Sequence, residues 1–139
     1  MKIFDFRLQK VLEYRRLVEG WAKDAYLDAR VARLEAETAM HGIRKQREIL
    51  LTGLPRTLDE HRVQERRHHL LDDQEAQQKI VVDVLVDEEA AALHEWTQKK
   101  QDVAALEKLH DRAYNEWQAE MNREEQAFLD EWSTSRRAA

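Results

Sequence analysis

The chain has 139 residues, 37% of them charged, with three Gly, one Pro and no Cys. The absence of Cys excludes disulfides, thiolate nucleophiles and Cys-ligated metals, and the scarcity of turn residues and of alternating Val, Ile and Thr runs excludes a sheet protein. A net charge of −5 argues against a general nucleic-acid binder.

The opening "MKIFDFRLQKV" has no continuous apolar run of the kind a secretory signal needs. No later stretch approaches the ~18 apolar residues of a membrane span. The longest, "IVVDVLV" at 80–86, is broken by Asp83. These features lead to the expectation of a soluble, cytoplasmic, all-α protein forming one coiled-coil domain over 1–139. Highly charged helices of this kind bury thin seams, not thick cores.

The first helix is expected over about 3–52. Positions 4, 8, 11, 15, 18, 22, 25, 29, 32, 36, 39, 43, 46 and 50 alternate steps of four and three, the coiled-coil step. Twelve of these fourteen are apolar, and six consecutive ones are Ala. Such a section should pack closely and bury little area.

The one strong break is "LTGLPRTLDE" at 51–60. Gly53 offers a left-handed C-terminal cap and Pro55 cannot continue the helix. Thr57 with Glu60 matches a capping box. The turn is expected at 53–56 and a second helix over about 57–135. Its stripe includes Leu71, Val81, Leu85, Ala92, Trp96, Val103, Leu106, Ala113 and Trp117, interrupted by Gln74, Gln78 and Glu88. A short turn makes the helices antiparallel.

With the turn centred near 54, Phe4 is expected opposite Ala104, and the second helix runs out of partner beyond about 110. At ~1.5 Å per residue the remainder projects on the order of 40 Å. This overhang contains "AYNEWQAEMNREEQAFLDEW", whose Tyr114, Trp117, Met121, Phe128 and Trp132 fall at helical spacing. An aromatic stripe of that kind is covered either by a second copy or by an unlike partner that takes Trp and Tyr as anchors. The residues leave both open.

Charge is unevenly spread. Residues 44–70 carry a net +3, with Arg62, Arg66 and Arg67 near the turn, whereas 72–95 carry −7. A solvated face is the plainer account; a tip that docks an acidic protein partner is the functional one. No aromatic stands among the tip residues to stack on bases. For chemistry the chain has no Gly-rich phosphate loop, no G-x-S-x-G and no H-E-x-x-H. Glu65 with His68 and Glu107 with His110 have the E-x-x-H spacing of di-iron bundles. They stand 42 residues apart on one helix, so each reads as a solvated His, and no metal, cofactor or catalytic residue is expected.

Two segments carry a resemblance. "FDFRLQKVLEYRR" at 4–16 resembles the start of the flagellar export protein FliJ family. "ALEKLHDRAYNEWQAEMNREEQAFLDEW" at 105–132 resembles that family's C-terminal part, notably "LEKL", "NREEQ" and "LDE". The resemblance implies a long antiparallel two-helix coiled coil without enzymatic activity. It implies a cytoplasmic place at the flagellar base, peripheral to the inner membrane. It also implies binding to the hexameric export ATPase in the manner of a rotary-ATPase central stalk, and contacts with the membrane export gate and with export chaperones. By motif match, Phe4, Phe6, Leu8, Leu106, Leu109, Asn122, Glu124, Glu125, Leu129 and Asp130 belong to the ATPase end, beside the aromatic stripe. The gate contact falls near the turn on the second helix, here "ERRHHLL" at 65–71. Arg62, Arg66, Arg67, Leu70 and Leu71 are its candidates, the two Leu standing where the family often has an aromatic. The alternatives are a self-associating scaffold and an injectisome stalk; the Phe-x-Phe-x-Leu opening favours the flagellar branch.

Overall fold

The computed structural model describes residues 2–138, which form two helices, α1 (Gln9–Thr52) and α2 (Leu58–Ala138), and no strand. None of the described helices is long and apolar enough to cross a membrane. Contacts divide the chain into two compact units. One joins Met1–Gly20 to Thr97–Ala139; the other is Trp21–Trp96. In each, the α1 part lies antiparallel on the α2 part.

The helix-to-helix connection is held by polar groups. Thr57 Oγ1 accepts the Glu60 N–H at 3.1 Å, and the Glu60 carboxylate accepts the Arg56 N–H at 2.8 Å. The capping box therefore forms, reaching one residue further back than usual. Gly53 does not provide the expected left-handed cap, because no described residue has positive φ. The Gln64 side chain does that work instead. Its amide donates to the carbonyls of Leu50 and Gly53, each at 2.8 Å, satisfying groups that a helix end leaves open.

Inward positions run from 8, just before α1, through 12, 15, 19, 22, 26, 29, 33, 36, 40, 43, 47 and 50 on α1; on α2 they run 64, 68, 71, 75, 78, 82, 85, 89, 92, 96, 99, 103, 106, 110, 113 and 117. Both follow the coiled-coil step without interruption. Half of the expected α1 seam is as read. Of the other seven, Phe4 precedes the helix and six lie one residue on, so Leu12, Glu19, Tyr26, Arg33, Met40 and Arg47 replace Val11, Val18, Ala25, Ala32, Ala39 and Gln46. This choice buries larger side chains, with Tyr26 stacked on Trp96 at 5.4 Å and Met40 at 6% exposure. The middle of α1 is therefore not an Ala-on-Ala contact.

The shifted seam admits charges because α2 answers them. Arg33 pairs with Glu89, and with Glu37 at 2.9 Å on its own helix. Arg47 pairs with Glu75 and with Asp72, the latter at 2.6 Å, and Arg44 reaches Glu75 at 3.2 Å. Gln78 donates to the Ala36 carbonyl at 2.9 Å. Such groups fix register more than they add stability. The Arg44 hydrogen bond, with the charge of Arg47 behind it, holds the Glu75 carboxyl below its ordinary value of 4.5. Unfolded Glu75 thus binds a proton more readily than folded Glu75. Its stabilising effect is complete above the ordinary value and fades as pH falls through the lowered one. In denaturant titrations between about pH 5 and pH 3, Glu75→Gln is expected to flatten the loss of stability on acidification. A slope equal to that of the unaltered chain counts against it.

Candidate functional site

Residues 2–8 are not helical, and α1 begins at Gln9, not near 3. The reason lies in "FDFRL". Phe4, Phe6 and Leu8 alternate with Asp5 and Arg7, which is the period of an extended chain. In a helix Phe4 and Phe6 would point to nearly opposite sides; extended, they share one. The strap ends in a turn in which Gln9 N–H donates to the Phe6 carbonyl at 3.0 Å.

The strap lies on α2. Phe4 packs edge-on against His110 at 5.5 Å and Tyr114 at 5.2 Å, and at a tilt against Trp117 at 5.7 Å. Phe6 meets the same His110 ring edge-on at 5.2 Å. Trp117 Nε1 donates to the Lys2 carbonyl at 3.2 Å. Beneath lies a buried cluster of Phe6, Leu12 and Val103, with Leu8, Leu106 and Ala113 against it. Arg15 with Asp102 and Arg16 with Glu107 flank it, at 3.5 and 3.3 Å.

This geometry corrects the register expected from the turn. Phe4 does not face Ala104; it reaches His110, Tyr114 and Trp117. An extended residue advances ~3.3 Å where a helical one advances ~1.5 Å. The pairing is also displaced from the start, since Leu50 already faces Gln64. The first half of the aromatic stripe is therefore partly covered within the chain, with Trp117 half-buried and Tyr114 still 40% exposed. The overhang begins after Trp117, with Met121 half-buried and every described residue from Asn122 onward exposed.

On α2 the remaining stripe continues the seam face. Phe128 is 65% exposed and Trp132 54%. Arg136 lies over the Trp132 ring at 5.0 Å, a cation–π contact. Glu124, Glu125 and Leu129 border this face. Asn122 lies further round, and Asp130 falls on the opposite side by the helical repeat. Among the motif residues, Phe6 is buried, Phe4, Leu8 and Leu106 are half-buried, and Leu109 is exposed. Phe4, Phe6, Leu8 and Leu106 form the clamp; Leu109, Asn122 and Asp130 belong neither to it nor to the bare stripe.

Replacing Phe4 by Ala should release the strap. Tryptophan emission is expected to shift to longer wavelength, because Trp117 loses its ring cover and its acceptor. The far-ultraviolet helix signal should hardly change, since residues 2–8 contribute no helix. An unshifted emission would place the strap elsewhere in solution.

In the unit Trp21–Trp96, the turn end shows Ile49, Leu54, Leu58, Val63 and Leu70 at 48–90% exposure. An open groove of about 560 Å³ runs between Ile49, Leu54, Pro55, Val63 and Arg67. Arg62, Arg66 and Arg67 are exposed around it. Leu70 is presented to solvent, but Leu71, at 9% exposure, belongs to the seam.

His110 and His68 are both seam residues, half-buried. No group of three or more His, Asp or Glu among the described residues is placed to hold a metal ion. What the sequence reading missed is the strap, although the alternating Phe-x-Phe-x-Leu carried its signal.

These features define an all-α antiparallel coiled coil in which α2 outruns the segment that packs on it. The chain belongs to the flagellar FliJ protein family, which it matches over residues 4–138. It is thereby a component of the flagellar export apparatus. No curated protein and no solved structure matches it significantly.

Proposed function

We propose that the chain acts as a non-enzymatic stalk for the hexameric export ATPase, and that its bare α2 end enters the ring. The observation that supports this reading is the seam face of α2 continuing past Trp117 with Phe128 and Trp132 exposed. Aromatic side chains on a preformed helix make good anchors because little conformational freedom is lost on binding. The strap stiffens the base of this segment and keeps Tyr114 and Trp117 in place.

A single asymmetric helix in a sixfold ring meets each subunit differently. Its contacts can therefore favour ring assembly and bias the order of nucleotide turnover. The basic, apolar turn end is the surface offered to the export gate and to chaperones, with Arg62, Arg66, Arg67 and Leu70 as contacts. The activity belongs at the cytoplasmic face of the flagellar base.

The test is the ATPase rate of the cognate ring with and without the purified chain. The chain should raise it, and Phe128→Ala with Trp132→Ala should remove most of the rise. No stimulation by the intact chain would overturn the stalk reading.

A further inference from the structure

Within the unit Trp21–Trp96, α2 carries a second stripe that α1 cannot cover. Val63, Leu70, Gln77, Val84 and Ala91 recur every seven residues, and all are exposed. Val63, Leu70 and Val84 are 48%, 57% and 50% exposed. By the helical repeat this stripe lies roughly 110–135° round from the seam. Ile80, at 65% exposure, stands beside it. A helix with apolar residues on two faces needs cover on two faces.

Toward its two ends the charges beside the stripe are polar in order, with Asp73 between them. Arg66 and Arg67 stand near Val63 and Leu70, and Asp87 and Glu88 stand near Val84 and Ala91. All four are exposed. Among the described residues none of them is in an ion pair, although the seam charges beside them are. Turned end for end about Gln77, the stripe complements itself. Leu70 then faces Val84, Val63 faces Ala91, and Arg66 and Arg67 face Glu88 and Asp87. A parallel copy would instead set Arg on Arg and acid on acid.

We propose that the outer face of α2 from Val63 to Ala91 is a twofold antiparallel interface for a second copy of this chain, centred on Gln77. An interface of this kind is isologous: each contact occurs twice, and the assembly closes at two. It uses neither the strap nor the bare end of α2, so it does not depend on the ring contact; it does share Arg66, Arg67 and Leu70 with the surface proposed for the gate, so a second copy and the gate would compete for this face.

The lack of native Cys makes the test clean. Under mild oxidation Gln77→Cys is expected to form a disulfide-linked dimer, because residue 77 meets its own copy on the axis. Leu70→Cys alone and Val84→Cys alone are expected to stay monomeric on denaturing gels, and the two together to cross-link. In sedimentation of the full chain, Arg66→Glu with Arg67→Glu should weaken dimerisation by about tenfold or more, and adding Asp87→Lys with Glu88→Lys should restore it. A chain that sediments as a monomer at about 100 μM, well above the dissociation constant of a functional dimer, overturns the proposal. So does equal cross-linking at 70 and 77, or capture of an unlike protein by this face while the chain itself stays single.

Discussion

Phe128→Ala with Trp132→Ala is expected to abolish most ATPase stimulation while leaving the chain folded. Both side chains are more than half exposed and lie where no other segment of the chain packs on α2, so their loss removes only the Arg136 contact to the Trp132 ring. In a protein interface, well-buried aromatic anchors typically contribute about 2 kcal/mol or more each. Even one such loss shifts a dissociation constant by roughly thirtyfold. Half-maximal stimulation should therefore move to a much higher concentration, with unchanged helix content and thermal midpoint. Unchanged stimulation would remove the α2 end from the mechanism. The stripe's other aromatics are unsuitable for this test, because Trp117 and Tyr114 are engaged by the strap.

Leu12→Ala is expected to be the most destabilising single truncation. Among the described residues Leu12 is the one fully buried large side chain, at 1% exposure, and it sits with Phe6 and Val103 beneath the strap. Such a truncation loses transfer free energy and leaves a cavity, at about 3 kcal/mol where the surroundings cannot collapse. A thin coiled coil has few other contacts to absorb the loss. Denaturant midpoints should fall accordingly. Hydrogen exchange should rise first around Leu12 and Val103 and in the strap contacts near Tyr114. A loss below about 1 kcal/mol would mean that this cluster collapses on itself. Val11→Ala is the control. Val11 occupies the position the apolar pattern alone would have buried, yet it is 43% exposed, and its truncation should be near neutral.

The contrast between Leu12 and Val11 shows where sequence reading ends. The four-three repeat on α1 identifies positions 8, 15, 22, 29, 36, 43 and 50 correctly, but it does not choose between the two ways of filling the intervening step. Counting apolar residues favours Val11, Ala25 and Ala39. The folded chain takes Leu12, Tyr26 and Met40, and with them Arg33 and Arg47, because Glu89 and Glu75 stand opposite. A charge in a seam is costly until its partner is known, and the partner lies on the other helix. On α2 the seam likewise takes Glu75 and Glu89 in place of their neighbours Gln74 and Glu88, and of the three apparent interruptions only Gln78 faces α1.

The strap shows the same limit. Phe-x-Phe-x-Leu is legible as an extended pattern, yet its neighbourhood of charged, helix-forming residues suggests helix. Only the surface offered by His110, Tyr114 and Trp117 makes the extended form worthwhile, by covering aromatic area on both sides.

By itself the sequence determined an all-α antiparallel coiled coil, the break between the helices, the Thr57–Glu60 cap, the family and the overhang in α2. Those follow from short-range terms: few turn residues, no Pro within the helices, and a period of seven. The tertiary structure decided which side of each heptad is buried, where the overhang begins, and which of the marked residues form the clamp and which stay bare. Those depend on pairing between segments far apart in the chain, where burial of larger side chains and neutralisation of seam charges outweigh the local pattern.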